Sequence, residues 1–224
     1  MGTILAVTGL NREAAIASGP GVLAIAGGAS SGALAARLEA LDSSDVDAVV
    51  SFGIAGALDP GLAVGDVLIA HTVSAGEDAF TCAGAASAAW EPRLRGVSGL
   101  RAASIAGVDA PLLRASDKAE LRAKSGAHAV DMESHVAAAY ARSRGLPFAA
   151  LRVISDRAES ELPAVAGNAM RPDGSVAIGQ VLMGLVRDPG QLVPLLGTAR
   201  DAAIAFRVLG RVRRLLGPRL GFDL

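Results

Sequence analysis

Six short apolar runs, separated by stretches of helical periodicity, constrain the fold of this chain more than any other feature. The runs read TILAVTG, GVLAIAGG, DAVVSFGIAG, GDVLIAHTV, GAHAVDM and LPFAALRVISD, and their apolar character predicts buried strands. Helical patterns lie between them at residues 12–17, 33–41, 117–124 and 132–144. This alternation predicts an α/β domain in which helices flank a mixed, largely parallel central sheet.

The same pattern sets expectations for the rest of the chain. Residues 83–103 are the least regular stretch, so we expect loops around edge strands there. Residues 157–172 are polar and contain proline, which predicts a loop, and helical patterns follow to the end. The 224 residues show no low-complexity linker. We therefore expect a single domain over residues 1–224, with residues 190–224 as a C-terminal helical tail.

Composition argues against several classes of protein. A net charge of −1 gives no indication of nucleic-acid binding. The single cysteine, Cys82, excludes an internal disulfide and a multi-cysteine metal site, and no ligand cluster predicts a metal or an organic cofactor. No apolar stretch reaches the roughly 18 residues of a spanning helix, and MGTILAVTGL lacks the basic start of a signal peptide. We therefore expect a cytoplasmic protein, with at most peripheral contact to the inner membrane surface.

Small and polar residues directly follow the predicted strands. Ligands bind beyond the carboxyl ends of the strands in open α/β sheets, so these positions are the first candidates for a site. They comprise residues 9–13, 27–32, 53–56, 131–133 and 155–156. Their glycines, hydroxyls, arginine and carboxylates predict a ligand with an anionic part and a polyol part.

One of these segments, residues 27–32, is compatible with three chemistries. Gly28 to Gly32 spells G-x-S-x-G, the nucleophile elbow of serine hydrolases, with Ser30 as nucleophile. A triad also needs a histidine, and in that fold it lies late in the chain, whereas no histidine here follows His135. A dinucleotide site is disfavoured because G-x-G-x-x-G spacing is absent. An anion cradle at a helix N-terminus and a plain capped turn both remain open.

Three longer segments resemble one known family. VDMESHVAAAYARSRGLPFAALRVISD is similar to the signature of the purine nucleoside phosphorylase/nucleosidase superfamily, with Met-Glu at a helix start and Ser-Asp after the next strand. SFGIAGALDPGLAVGDVLIA resembles its glycine-rich strand-end loop and G-D turn, and GGASSGALAA its turn before the first long helix. The resemblance spans residues 3–156 and implies that family's three-layer fold and cleavage of an N-glycosidic bond. It also implies a homo-oligomer.

The resemblance implies roles for six residues. Glu133 would bind the ribose hydroxyls and Met132 would pack on the sugar. Asp156, oriented by Ser155, would donate a proton to N7 of a purine, and Ala55 and Gly56 would let the backbone approach the nucleoside closely. Such chemistry suits the reaction, in which positive charge develops on the sugar and negative charge on the base. Asp156 must then be protonated near neutral pH, which burial would favour.

The sequence is compatible with two nucleophiles, phosphate and water. TGLNREAAIA resembles the phosphate motif of the phosphorylases, with Gly9 and Arg12 as ligands, and Arg suits an oxyanion. Gly28, Ser30 and Ser31 would complete the phosphate site. Glu13, however, stands where hydrolytic members keep a glutamate that activates water. The second arginine and the hydroxyl that phosphorylases place near Ser51 and Ile54 are absent, as is an aromatic residue in AGVDAPLL for stacking on adenine. We favour phosphorolysis, with inorganic phosphate as co-substrate, over hydrolysis.

The C-terminal residues carry a further resemblance. AAIAFRVLGRVRRLLGPRLGF, residues 202–222, contains five arginines and no acid, and Arg207, Arg211 and Arg214 share one helical face. Such a helix binds a membrane surface or packs on the core with a solvated basic edge. With AMRPDGSVAIGQVLMGLVRDPGQL it resembles the hopanoid-associated phosphorylases, which release adenine from the lipid-bearing nucleoside adenosylhopane. The alternatives are a nucleosidase acting on small thio-adenosines, a serine hydrolase using Ser30, and a non-catalytic peripheral membrane protein.

Overall fold

The computed structural model describes residues 2–28, 30–163, 175, 190 and 192–222 of the chain. Eight strands and six helices occupy these residues, and a short 3-10 helix, Pro218–Gly221, closes them. In chain order the strands and helices are β1 Thr3–Thr8, α1 Asn11–Ala17, β2 Val22–Ala26, α2 Ser31–Glu39, β3 Val46–Ala57, β4 Val67–Ala75, β5 Asp78–Thr81, α3 Gly84–Leu94, β6 Leu100–Gly107, α4 Ala115–Ser125, β7 Ala129–Asp131, α5 Ser134–Arg144, β8 Phe148–Asp156 and α6 Leu192–Leu216.

All eight strands form one mixed sheet, and six of them correspond to the predicted apolar runs, whereas β5 and β6 were not predicted. Its order is β2-β1-β3-β7-β6-β4-β5, and β8 pairs with both β3 and β4. The pairs β1–β2, β1–β3, β3–β8, β4–β6 and β6–β7 are parallel, whereas β3–β7, β4–β5 and β4–β8 are antiparallel. The strands β3, β8, β4, β6 and β7 pair in a closed ring, so this part of the sheet closes on itself.

Helices cover both faces of the sheet and produce three layers. The alternation along β1 shows this directly, because Ile4 and Ala6 belong to one apolar cluster while Leu5 and Val7 belong to another. The first cluster includes residues of α1, α3 and α6, and the second includes residues of α2 and α5. The predicted fold class is therefore confirmed.

The prediction of loops over residues 83–103 is wrong. Helix α3 occupies most of this stretch, and β6 begins within it. Apolar periodicity does not predict either element. Helix α3 contains Pro92, and the first residues of β6 are exposed. Tertiary contacts stabilise α3 instead, since Trp90 is fully buried and its Nε1 donates to the Leu220 carbonyl at 2.7 Å. A loop was also predicted for residues 157–172, and the described part of it, residues 157–163, contains no helix or strand.

The C-terminal tail is helical, and its second half packs on the core. Five apolar side chains of α6 are buried in the first cluster, namely Ala205, Phe206, Leu209, Val212 and Leu216. Arg207, Arg211 and Arg214 are exposed on the other side of the helix. Most of the AMRPDGSVAIGQVLMGLVRDPGQL segment lies outside the described residues. No helix in the described ranges combines the length and apolar character needed to cross a membrane.

Candidate active site

The carboxyl ends of β1, β3, β7 and β8 open into one cavity of about 170 Å³. These strand ends meet there because β3 pairs with β1, β7 and β8. Eight of the twelve site residues predicted from the sequence line this cavity: Gly9, Glu13, Ala55, Gly56, Met132, Glu133, Ser155 and Asp156. The structure therefore collects residues up to 147 positions apart in sequence, from Gly9 to Asp156, at one edge of the sheet.

Asp156 lies at the end of β8 with both carboxylate oxygens engaged. The Ser155 hydroxyl lies 2.8 Å from Oδ1 and 3.1 Å from the Ala55 carbonyl. Gly56 admits the carboxylate, because a Cβ at that position would lie 3.1 Å from Oδ2. The second oxygen, Oδ2, accepts from the ammonium of Lys118 at 2.5 Å.

Lys118 is a site residue that the sequence analysis missed. It lies in α4, is 1% exposed and also donates to the carbonyls of Arg157 and Ser160. In sequence it belongs to ASDKAELRAKS, a polar helix in which nothing distinguishes it from the exposed Lys124. Only the packing of α4 beside the end of β8 reveals it.

Glu133 immediately precedes α5 and is buried against the end of β1. A Cβ on Gly9 would lie 2.7 Å from Glu133 Oε1, so glycine at this position makes room for the carboxylate. Burial raises the pKa of Glu133 to about 8, and although nearby Arg152 opposes this shift, the carboxylates of Asp131 and Glu13 add to it. Glu133 is therefore protonated more readily than an exposed glutamate.

Glu13 reaches the cavity from the first turn of α1 and is held by three backbone amides. Its Oε2 accepts from the amides of Gly9 at 2.8 Å and Leu10 at 2.6 Å, and its Oε1 accepts from the amide of Ile54 at 2.6 Å. Burial raises the pKa of Glu13, whereas Arg152 and these amides lower it, and the net shift is upward. The carboxylate is thus fixed in position between β1 and β3.

A buried arginine, Arg152, lies between Asp131 and Glu133 and was also missed. Its Nε donates to Asp131 Oδ2 at 2.6 Å, and its Nη2 donates to Ser51 Oγ at 2.5 Å and lies 3.6 Å from Glu133 Oε2. Within the described residues its Nη1 has no hydrogen-bond partner. The sequence could have indicated Arg152, because an arginine within the apolar run ALRVIS is expected to be buried and therefore paired or functional.

The remaining four predicted residues do not line the cavity. Arg12 is exposed, and its guanidinium lies 4.2 Å from the centre of the Phe206 ring on α6. The Gly28 amide donates to the Gly9 carbonyl at 2.8 Å, and Ser30 caps α2 by accepting from the Ala33 amide at 3.2 Å. Ser31 begins α2 outside the cavity lining. The Gly9 amide is also occupied, because it donates to Glu13. The phosphate site at these residues remains a prediction.

The serine hydrolase alternative finds no triad in the described residues. The three histidines hydrogen-bond elsewhere, His71 to Thr72, His128 to Ser104 and His135 to Asp109. Ser30, whose oxygen is used as a helix cap, has no histidine partner among the hydrogen bonds of this region. A cap is the plain structural reading of G-x-S-x-G in this chain.

The walls of the cavity away from the carboxylates are apolar. Among the described residues they consist of aliphatic side chains and a proline, without an aromatic ring: Leu10, Ile54, Val108, Pro111, Leu112, Val130 and Leu162. The cavity thus has a polar end, formed by Glu13, Glu133 and Asp156, and an apolar surround. Such an arrangement can bind a sugar through hydroxyls, protonate a leaving group and place a nucleophile against the sugar.

The relationship of this fold and its acidic cavity to known proteins comes from the sequence. Residues 4–171 match the phosphorylase superfamily. The chain belongs to this superfamily, and it is a nucleoside phosphorylase or nucleosidase. No curated protein matches the sequence at a significant level.

Solved structures with the same fold are distant in sequence. The chain is similar to a Helicobacter pylori MTAN mutant holding 5′-methylthioadenosine in its active site, with 14% identity, a TM-score of 0.66 and coverage of 95% of this chain and 98% of that chain. The nucleosidase of Colwellia psychrerythraea in complex with adenine is 22% identical, with a TM-score of 0.63 and coverage of 86% and 96%. Futalosine hydrolase of H. pylori is 17% identical, with a TM-score of 0.61 and coverage of 70% and 88%.

Proposed function

We propose that this enzyme cleaves the N-glycosidic bond of a purine nucleoside, with Asp156 protonating the base and Glu133 binding the ribose hydroxyls. The observation that carries the proposal is the convergence of Glu13, Glu133 and Asp156 on one cavity. The transition state carries positive charge on the sugar and negative charge on the base, so carboxylates and an acid at these positions stabilise both ends. The proposed reaction requires no metal and no organic cofactor.

Water is the nucleophile that the geometry supports best. Glu13 is oriented by three amides at the polar end of the cavity, and a carboxylate held in this way can accept a proton from water. Arg12, the expected phosphate ligand, faces Phe206 instead. In the hydrolytic mechanism, water would give one proton to Glu13 while its oxygen forms the bond to C1′.

Phosphorolysis is the second candidate, and one observation favours it. The Nη1 of Arg152 is buried and unpartnered in the described region, close to Glu13. A buried guanidinium N–H without an acceptor is costly, and a phosphate oxygen would satisfy it. In this case inorganic phosphate is the co-substrate and Arg152 replaces Arg12 as its ligand.

Adenosylhopane is the substrate that we propose. The cavity lining is mostly aliphatic, which suits an apolar 5′ substituent. The exposed arginines of α6 would hold the enzyme at an anionic membrane surface, where such a lipid-bearing nucleoside resides. Leu192, Val193 and Leu196, at the start of the same helix, are 47%, 77% and 61% exposed and would add apolar contact. The homo-oligomer expected from the sequence remains a prediction.

The test is adenine release from adenosylhopane and from 5′-methylthioadenosine, each with and without phosphate. Release from adenosylhopane without phosphate supports hydrolysis of a lipid-bearing nucleoside, and release only with phosphate supports phosphorolysis. A preference for methylthioadenosine contradicts the lipid substrate. The Asp156→Asn variant is the control, because it should lose base release by about 10²- to 10⁴-fold. If wild-type protein releases no base from either nucleoside, the proposed function is wrong.

A further inference from the structure

The buried ammonium of Lys118 donates a hydrogen bond to Asp156, the residue that would protonate the base. Its Nζ lies 2.5 Å from Asp156 Oδ2, 2.8 Å from the Arg157 carbonyl and 3.1 Å from the Ser160 carbonyl. An ammonium has three protons to donate and no lone pair, so these three acceptors match a charged lysine in full. At 1% exposure, Lys118 is also shielded from the solvent that hydrates surface lysines.

Asp156 is correspondingly held as an acceptor. Oδ2 receives the Lys118 ammonium, and the Ser155 hydroxyl lies 2.8 Å from Oδ1. Both oxygens of Asp156 therefore act as hydrogen-bond acceptors in this arrangement. The base must therefore be protonated by a proton that reaches Asp156 during turnover, and the nearest ionised donor in contact with it among the described residues is Lys118.

We propose that Lys118 is a positioning residue that also supplies the proton that Asp156 delivers to the leaving base; this rests on the proposed function. As the bond from C1′ to N9 breaks, its electron pair goes to the base. A proton moves from Lys118 Nζ to Asp156 Oδ2, and Asp156 passes it to N7. The base leaves neutral, Asp156 is again a carboxylate, and Lys118 is a neutral amine that is reprotonated from the solvent after the base has left, which balances the proton that the nucleophile releases. The nucleophile forms its bond to C1′ independently.

Lys118 also fixes the chain beyond β8, since two of its acceptors are carbonyls of residues 157 and 160. A purely structural role would reduce activity on every substrate equally. A role in supplying a proton would reduce activity only when the leaving group needs one. The leaving group therefore separates the two roles.

The experiment compares a purine nucleoside with p-nitrophenyl riboside, whose phenolate leaves without protonation. We expect Lys118→Met to lower kcat on the nucleoside by about 100-fold, the lower range of general-acid effects, and to change kcat on the nitrophenyl substrate less than fivefold. Lys118→Gln should behave in the same way if the Met variant does not fold, because the amide keeps hydrogen bonds but has no proton to supply. Lys118→Arg should restore the ion pair with Asp156 but not the nucleoside activity, because a guanidinium does not give up its proton in a protein.

Lys124→Met is the matched control, because Lys124 lies on the same helix, pairs with Glu120 and is exposed. It should leave both activities unchanged. Equal losses on the two substrates in the Lys118 variants, or no loss on either, would overturn the assignment to Lys118 while leaving the proposed function intact. Failure of the wild-type enzyme to cleave any purine nucleoside would instead overturn the proposed function, and the role of Lys118 with it.

Discussion

Gly53 provides a test of the site, because Arg152 and Glu13 occupy the space that a side chain at this position would need. A Cβ on Gly53 would lie 2.3 Å from Arg152 Nη1 and 2.3 Å from Glu13 Oε1. Ordinary van der Waals contact begins near 3.4 Å, so Gly53→Ala must push both groups away by about 1 Å. The backbone of Gly53 is not left-handed, so alanine adds no backbone strain.

The expected cost of Gly53→Ala is large in activity and moderate in stability. Displacement of a catalytic group by about 1 Å costs about 100-fold in rate, and overpacking of a buried site costs about 1–3 kcal/mol. We expect kcat/KM for nucleoside cleavage to fall about 100-fold, while urea unfolding shows a folded protein of lower midpoint. Gly32→Ala is the control, since Gly32 is exposed in α2 and an added Cβ would meet nothing within 4 Å. Full activity in Gly53→Ala, with normal Gly32→Ala, would show that Glu13 and Arg152 do not act at the reaction centre.

The contacts described above predict three further outcomes. The pKa of Glu133 is about 8 in the folded protein and about 4.5 in the unfolded chain. Because the unfolded chain releases this proton at lower pH, the free energy of unfolding falls as pH rises from about 4.5 to about 8. Glu133→Gln removes this loss, and its melting temperature relative to wild type should rise across that window; parallel pH curves would contradict the prediction. Ser30→Ala should cost about 1 kcal/mol of unfolding free energy through the lost cap of α2, with no change in base release; a fluorophosphonate adduct on Ser30 would revive the hydrolase alternative. Replacing Arg207, Arg211 and Arg214 by Gln should weaken sedimentation with anionic vesicles by about 1 kcal/mol for each arginine and leave cleavage of soluble nucleosides unchanged, and unaltered vesicle binding would exclude this face as the membrane contact.

The residues at the strand ends were predictable from local sequence. An apolar run that ends in small or acidic residues marks where a buried strand reaches the edge of the sheet, and in an α/β fold such edges meet. This reasoning placed Glu133, Ser155 and Asp156 in one cavity, with Gly56 beside them. The physical reason is that burial of a strand is a local property, written in the strand itself.

The partners of polar groups could not be predicted in the same way, because they depend on where each side chain or amide points in the folded protein. Arg12 follows the expected motif, yet its guanidinium stacks on Phe206, almost 200 residues away in sequence. The amides of the glycine turn at residues 27–28 are likewise consumed by carbonyls at the end of β1. A motif specifies residue types and spacing, but long-range neighbours decide which polar groups are already occupied.

The sequence by itself determined the alternation of strands and helices, the fold class and the carboxylates at the edge of the sheet, because apolar periodicity and strand ends are encoded within a few neighbouring residues. Only the tertiary structure decided that Lys118 pairs with Asp156, that Arg152 pairs with Asp131 and Glu133, and that the apolar face of α6 packs on the core. Each of these depends on contacts between residues distant in the chain, since a buried charge gains its partner only when separate elements meet.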